Sequence, residues 1–260
     1  MQYLKKIFLV AVVFFLVLAS PFFLWVYVNH VPPILMYHQV VEAERPTSEQ
    51  ISPALFEEHM ALLRKFGYRA IRLEDLVDSL KKGIQISRKA VVITFDDGKE
   101  SVYTKAFAIL KKYNYPAIVF LPTELIGTPG YVSWPQVKEM MAHNITFGSH
   151  TKNHTYLPDL PEERQREEIV DSKKTLEKQL GVPIEYFSYP TGGFSETTKK
   201  LVEQAGYKAA VTTNRGYEMK HRDLFELKRV RLSSSDFNDL YIWVKFAGYS
   251  GVFKKGKKPY

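Results

Sequence analysis

Short apolar runs recur along this chain, separated by longer stretches in which apolar residues return every three or four positions. The runs cover residues 34–37, 68–71, 90–95, 117–121, 145–147, 186–189, 207–212 and 228–232. Their length and their content of Val, Ile, Phe and Tyr predict buried strands. The stretches between them, over about 52–66, 73–82, 101–113, 134–144, 162–180, 196–205 and 235–246, carry the helical period. Ser52-Pro53 supplies a cap and first-turn pair, and Gly67, Gly83, Gly181 and Gly206 stand where helices should stop. Residues 42–51 are polar, contain Pro46, and are expected to form a loop. Strand and helix alternate about seven times, which predicts parallel strands joined by crossover helices. A distorted (β/α) barrel of about seven strands and an open doubly wound sheet both fit. The barrel is preferred because the polar chemistry follows four different strands, and a barrel gathers all its strand ends round one mouth.

The first segment breaks this rhythm. Residues 7–28 contain no charged side chain and are long enough to cross a bilayer. Lys5 and Lys6 precede them, so the positive-inside rule places a short N-terminus in the cytoplasm and the remainder outside. A cleavable signal peptide is the alternative, with Leu18-Ala19-Ser20 as its cleavage site. Pro21 and the continuing run to Trp25 and Tyr27 favour an uncleaved anchor. The expected organisation is therefore a cytoplasmic tip and transmembrane helix over 1–29, then one extracellular domain over 30–260. That domain has no cysteine and must be held by its core. The net charge of +8 includes a basic tail at 254–258, read as a solvated terminus. No phosphate loop, repeat or heptad array is present, and nucleic-acid binding would rest on charge alone.

Two places concentrate chemistry. The run 90–95 ends in Asp96-Asp97-Gly98, and two adjacent carboxylates call for a cation, a proton or an arginine to offset their repulsion. About fifty residues on, His150 and His154 lie four apart just after a strand, close enough to aim at one point. With Asp96 or Asp97 they would make a two-histidine, one-carboxylate site that leaves coordination positions open, the mark of a catalytic metal.

Thr94-Phe-Asp-Asp-Gly98, Ser149-His-Thr-x-x-His154 and Tyr189-Pro190, in that order, resemble the motifs of the polysaccharide deacetylases (carbohydrate esterase family 4), which deacetylate chitin-like polymers, peptidoglycan and xylan. The resemblance covers about residues 32–232. It implies a distorted β/α barrel with Asp96 as general base, and Asp97, His150 and His154 on a divalent metal, usually Zn2+. It further implies that the main-chain N–H of Tyr189 stabilises the oxyanion. The chain departs from the commonest pattern in two ways: no arginine precedes the Tyr-Pro motif, and no acid histidine lies near the C-terminal end of the domain. Ile34-Leu-Met-Tyr-His38 resembles the opening strand of the biofilm poly-β-1,6-N-acetylglucosamine deacetylases, which makes His38 the implied acid. Arg229, in the last strand, is a candidate anchor for a carboxylate that the sequence does not name. His221-Arg-Asp223 lacks the partners of a kinase loop, and Tyr131 and Trp134 are left as core aromatics.

The expectation is a membrane-anchored extracellular enzyme that removes N-acetyl groups from a cell-surface N-acetylglucosamine polysaccharide. Peptidoglycan or an O-acetylated glycan is the rival substrate. A non-catalytic glycan-binding scaffold is the rival of another class, favoured by the missing arginine and opposed by the paired carboxylates.

Overall fold

A computed structural model describes residues 31–214 and 223–248, together with 5–7, 14, 20, 21 and 24. The anchor expected over residues 7–28, His221 and the basic tail lie wholly or almost wholly outside the described residues. Among the described residues no helix is long and apolar enough to cross a membrane.

Among the described residues ten strands occur in chain order: β1 Ile34–Tyr37, β2 Gln39–Val40, β3 Gln50–Ile51, β4 Arg69–Ile71, β5 Ala90–Phe95, β6 Ala117–Leu121, β7 Ile145–Ser149, β8 Tyr186–Ser188, β9 Ala209–Val211 and β10 Arg229–Arg231. Seven of them form one parallel path, β10-β1-β5-β6-β7-β8-β9, with β4 added beside β5. Leu227 bridges Val211 at the end of β9, two residues before β10 pairs with β1, so one stretch of chain joins both edges of the path. The sheet is nearly closed, as the expected barrel requires. β2 and β3 form a separate two-stranded parallel pair, β3 inside the span 42–51 expected as loop and β2 just before it.

The helices are α1 Pro53–Lys65, α2 Leu73–Lys82, α3 Phe107–Tyr113, α4 Trp134–Met141, α5 Glu162–Leu180, α6 Glu196–Gln204 and α7 Asp239–Phe246. The Ser52 hydroxyl accepts the Leu55 N–H with Pro53 in the first turn, and Gly83 closes α2 in the left-handed region. The helix expected from residue 101 opens as a π-turn over Val102–Ala106 before α3 begins.

Every residue of β5 and β6 is buried, because both faces of the sheet are covered. The alternating side chains divide into two clusters. Leu35, Val91, Ile93 and Val119 face the outer helices. Ile34, Val92, Ile118 and Phe120 face inward and meet Leu73, Leu76 and Val77, so α2 plugs the lumen. Gly148 lets β7 lie close to its neighbours: a Cβ there would meet Phe120 at 2.5 Å and the Tyr186 carbonyl at 2.8 Å.

Candidate active site

The chemistry-bearing residues follow the C-terminal ends of β1, β5 and β7, the end at which barrel enzymes carry their sites. His38 follows β1, Asp96 and Asp97 follow β5, and His150 follows β7. Asp97 (φ 68°), Thr151 (φ 66°), His154 (φ 57°) and Thr191 (φ 54°) all adopt the left-handed region. Such backbones cost about 1–3 kcal/mol each and persist only where surrounding contacts enforce them. Gly98 continues the turn at φ 62°, and a Cβ on it would meet Leu121 at 2.6 Å. The Asp-Asp-Gly sequence is thus a steric requirement as well as a chemical one.

Asp97, His150 and His154 converge, with one ligand atom of each within 4.8 Å of the others. Asp97 Oδ1 lies 3.5 Å from His150 Nε2 and 3.1 Å from His154 Nε2. The buried His150 ring has Nδ1 2.7 Å from the Ser188 carbonyl. A carbonyl can only accept, so Nδ1 carries a proton and Nε2 is the atom turned to the cluster. Burial would raise the Asp97 pKa, but hydrogen bonds from both histidines hold it well below the usual carboxylate range. The Asp97 contact raises the His154 pKa, against the effect of its partial burial. Two imidazole nitrogens and one carboxylate oxygen fit a divalent cation with open positions.

Asp96 turns into the barrel. It is 1% exposed and receives the Arg229 guanidinium through two hydrogen bonds, Nη1 to Oδ1 at 2.8 Å and Nη2 to Oδ2 at 2.5 Å. The same guanidinium donates to the Thr212 carbonyl, the Thr94 hydroxyl and the Ser188 hydroxyl. Ser188 donates in turn to Asp96 Oδ1. Burial pushes the Asp96 pKa up, and the charge and hydrogen bonds of Arg229, together with His150 and His38, more than offset it, leaving the carboxyl ionised. The arginine absent before Tyr189 is therefore replaced by one from β10, with Ser188 between. Sequence reasoning named Arg229 but not its carboxylate. The available signal was the basic run Lys228-Arg-Val-Arg231 in a strand, which does not say which arginine turns inward.

His38 Nε2 lies 4.0 Å from Asp96 Oδ2, and its buried Nδ1 has no hydrogen-bond partner. Burial lowers its pKa, against the pull of Asp96 and Asp97. One expectation fails. The Tyr189 N–H donates to the Val211 carbonyl at 3.2 Å, and its buried side chain donates to the Phe225 carbonyl, so neither group points at a reaction centre. Tyr189 extends the sheet ladder by one residue and is a structural side chain here.

A cavity of about 820 Å3, walled in part by Tyr115, Asn144 and Tyr186, opens at the N-terminal ends of β6, β7 and β8, away from this cluster.

A parallel β/α barrel with a metal-competent cluster and a buried Asp–Arg pair at its mouth defines an enzyme of the barrel-hydrolase class. A family model described as polysaccharide deacetylase matches residues 84–210. The Bacillus subtilis (strain 168) protein YxkH, named for that family, is 35% identical over 201 residues, 77% of this chain and 71% of its own. A poly-beta-1,6-N-acetyl-D-glucosamine N-deacetylase of Staphylococcus aureus (strain N315) is 24% identical over 204 residues, 73% of this chain and 70% of its own. The solved structure of the Streptococcus pyogenes deacetylase PplD in complex with acetate is similar at a TM-score of 0.77 and 29% identity, covering 83% of this chain and 97% of that one. This chain belongs to the polysaccharide deacetylase family, and it is an enzyme of that family. Members use a divalent metal.

Proposed function

We propose that the chain removes N-acetyl groups from a cell-surface N-acetylglucosamine polysaccharide, releasing acetate, with Asp97, His150 and His154 as ligands of Zn2+. The observation that carries this reading is the placing of an ionised, arginine-held Asp96 and a buried His38 beside a three-donor cluster. That cluster supplies Lewis acidity when its cation is bound, polarising the amide carbonyl and acidifying water.

Asp96 accepts the proton of the attacking water. Arg229 and Ser188 fix its plane and both bond Oδ1, whereas Oδ2 accepts from Arg229 alone and keeps a second lone pair in reserve. His38 donates to the departing amine, which leaves as a neutral group. Against the effect of burial, the carboxylates of Asp96 and Asp97 favour its imidazolium form. Arg229 also removes the objection that the base lacked an orienting cation. The similarity to a named poly-beta-1,6-N-acetyl-D-glucosamine N-deacetylase favours a β-1,6 amino-sugar polymer. An anchor over residues 7–28 would hold the domain at the outer face of the cell membrane.

The test incubates the metal-loaded protein with β-1,6 and β-1,4 N-acetylglucosamine oligomers and assays acetate. Release that is lost on chelation, in Asp96→Asn and in His38→Ala, and greater on the β-1,6 series, supports the proposal. Faster release from β-1,4 oligomers or peptidoglycan fragments moves the substrate to the cell wall. No release from any of them overturns it.

A further inference from the structure

The loop between the two histidine ligands is held by a carboxylate from a distant helix. Glu168, on α5, is only 4% exposed. Its Oε2 accepts the main-chain N–H groups of Lys152 at 2.9 Å and Asn153 at 3.0 Å, and its Oε1 accepts the Asn153 side-chain amide at 2.7 Å. All three bonds fall between His150 and His154. The segment they grip has left-handed backbone on both sides, at Thr151 and at His154.

The same face of α5 carries two more buried polar residues, spaced as neighbours on a helix. Ser172 exchanges a hydrogen bond of 2.7 Å with Ser149, the residue before His150. Gln165 donates to the Leu160 carbonyl and accepts from Thr198 on α6. A charged group buried to this degree is costly unless fully bonded. Here its bonds are spent on the loop that aims two ligands. Lys152 also reaches back to Asp171 on α5 at 3.4 Å, a second tie between the same two elements.

We propose that Glu168 is a positioning residue for the metal centre, holding the 151–154 loop so that His150 and His154 converge with Asp97. This rests on the assignment of those three residues as metal ligands. The carboxylate acts through its geometry. A glutamine places one accepting oxygen on the two N–H groups and, with the Asn153 amide turned over, keeps the third contact, whereas alanine keeps none.

The test measures Zn2+ affinity by chelator competition, and the visible absorption spectrum of the Co2+ form, for the full chain and for Glu168→Ala, Glu168→Gln and Asn153→Ala. The melting temperature of each metal-free protein is the folding control. Removing such a ligand-orienting partner weakens metal binding about 10–100-fold. Glu168→Ala is expected to fall in that range with an altered Co2+ spectrum, and Glu168→Gln to remain near the parent. Asn153 is exposed, so Asn153→Ala leaves the fold intact and gives a smaller loss of the same sign. If Glu168→Ala and Asn153→Ala both fold and bind with the parental affinity and spectrum, the inference falls while the ligand assignment stands. A parent that binds neither Zn2+ nor Co2+ overturns both.

Discussion

Arg229 is the residue on which the buried Asp96 carboxylate depends. Taking it away leaves a buried, uncompensated charge at Asp96, a loss of about 3–5 kcal/mol. Arg229→Met should therefore lower the urea midpoint strongly and abolish acetate release. Asp96→Asn in the same chain should restore part of the stability but none of the activity. A double variant no more stable than Arg229→Met alone would show that the pair does not act as a unit. The acidic and histidine residues were legible in the sequence because they cluster within short motifs. The Arg229 pairing was not, because it spans 133 residues and depends on β10 lying against β1. Tyr189 was misread because its motif says nothing of the carbonyl its N–H meets.

At the scale of elements, strand and helix positions were readable from periodicity, as β5, β6 and α5 show. Each has an unbroken pattern and a clear stop. The π-turn at Val102–Ala106 and the β2–β3 pair were not, because both depend on tertiary contacts. Val40, for instance, donates its N–H to the Ser101 hydroxyl. The close approach of β7 to β6 and β8 makes a direct prediction. Gly148→Ala places a methyl group against Phe120 and the Tyr186 carbonyl, and should cost about 1–3 kcal/mol as overpacking. Denaturant unfolding reads this, and an unchanged midpoint would mean that β7 can move aside. The His154 proton offers a second check. Below its raised pKa, binding a cation displaces a proton, so apparent metal affinity should fall as pH drops. Zn2+ titrations in weakly buffered solution should release acid, and a pH-independent affinity would count against His154 as a ligand.

For the molecule as a whole, stability should depend on a histidine outside the reaction. His59 is fully buried, with Nδ1 3.1 Å from the Tyr37 hydroxyl and Nε2 2.8 Å from the Asp236 carbonyl. Burial lowers its pKa from 6.5 to about 4. Between those values the unfolded chain binds the proton and the folded chain does not. Stability is therefore full above pH 6.5 and falls as pH drops towards 4, by about 3 kcal/mol for this group. The unfolding midpoint of His59→Gln should be lower at pH 7 but flatter across that window. An equally steep profile would assign the acid sensitivity to other groups.

The closing strand has a temporal consequence. A ribosome releases Asp96 long before Arg229, and until β10 docks, Asp96 has neither its cation nor a nearly closed barrel round it. A nascent or truncated chain ending before residue 229 would carry Asp97, His150 and His154 yet leave Asp96 without its guanidinium partner. The barrel thus withholds an arginine-held Asp96 until β10 has been made and has docked.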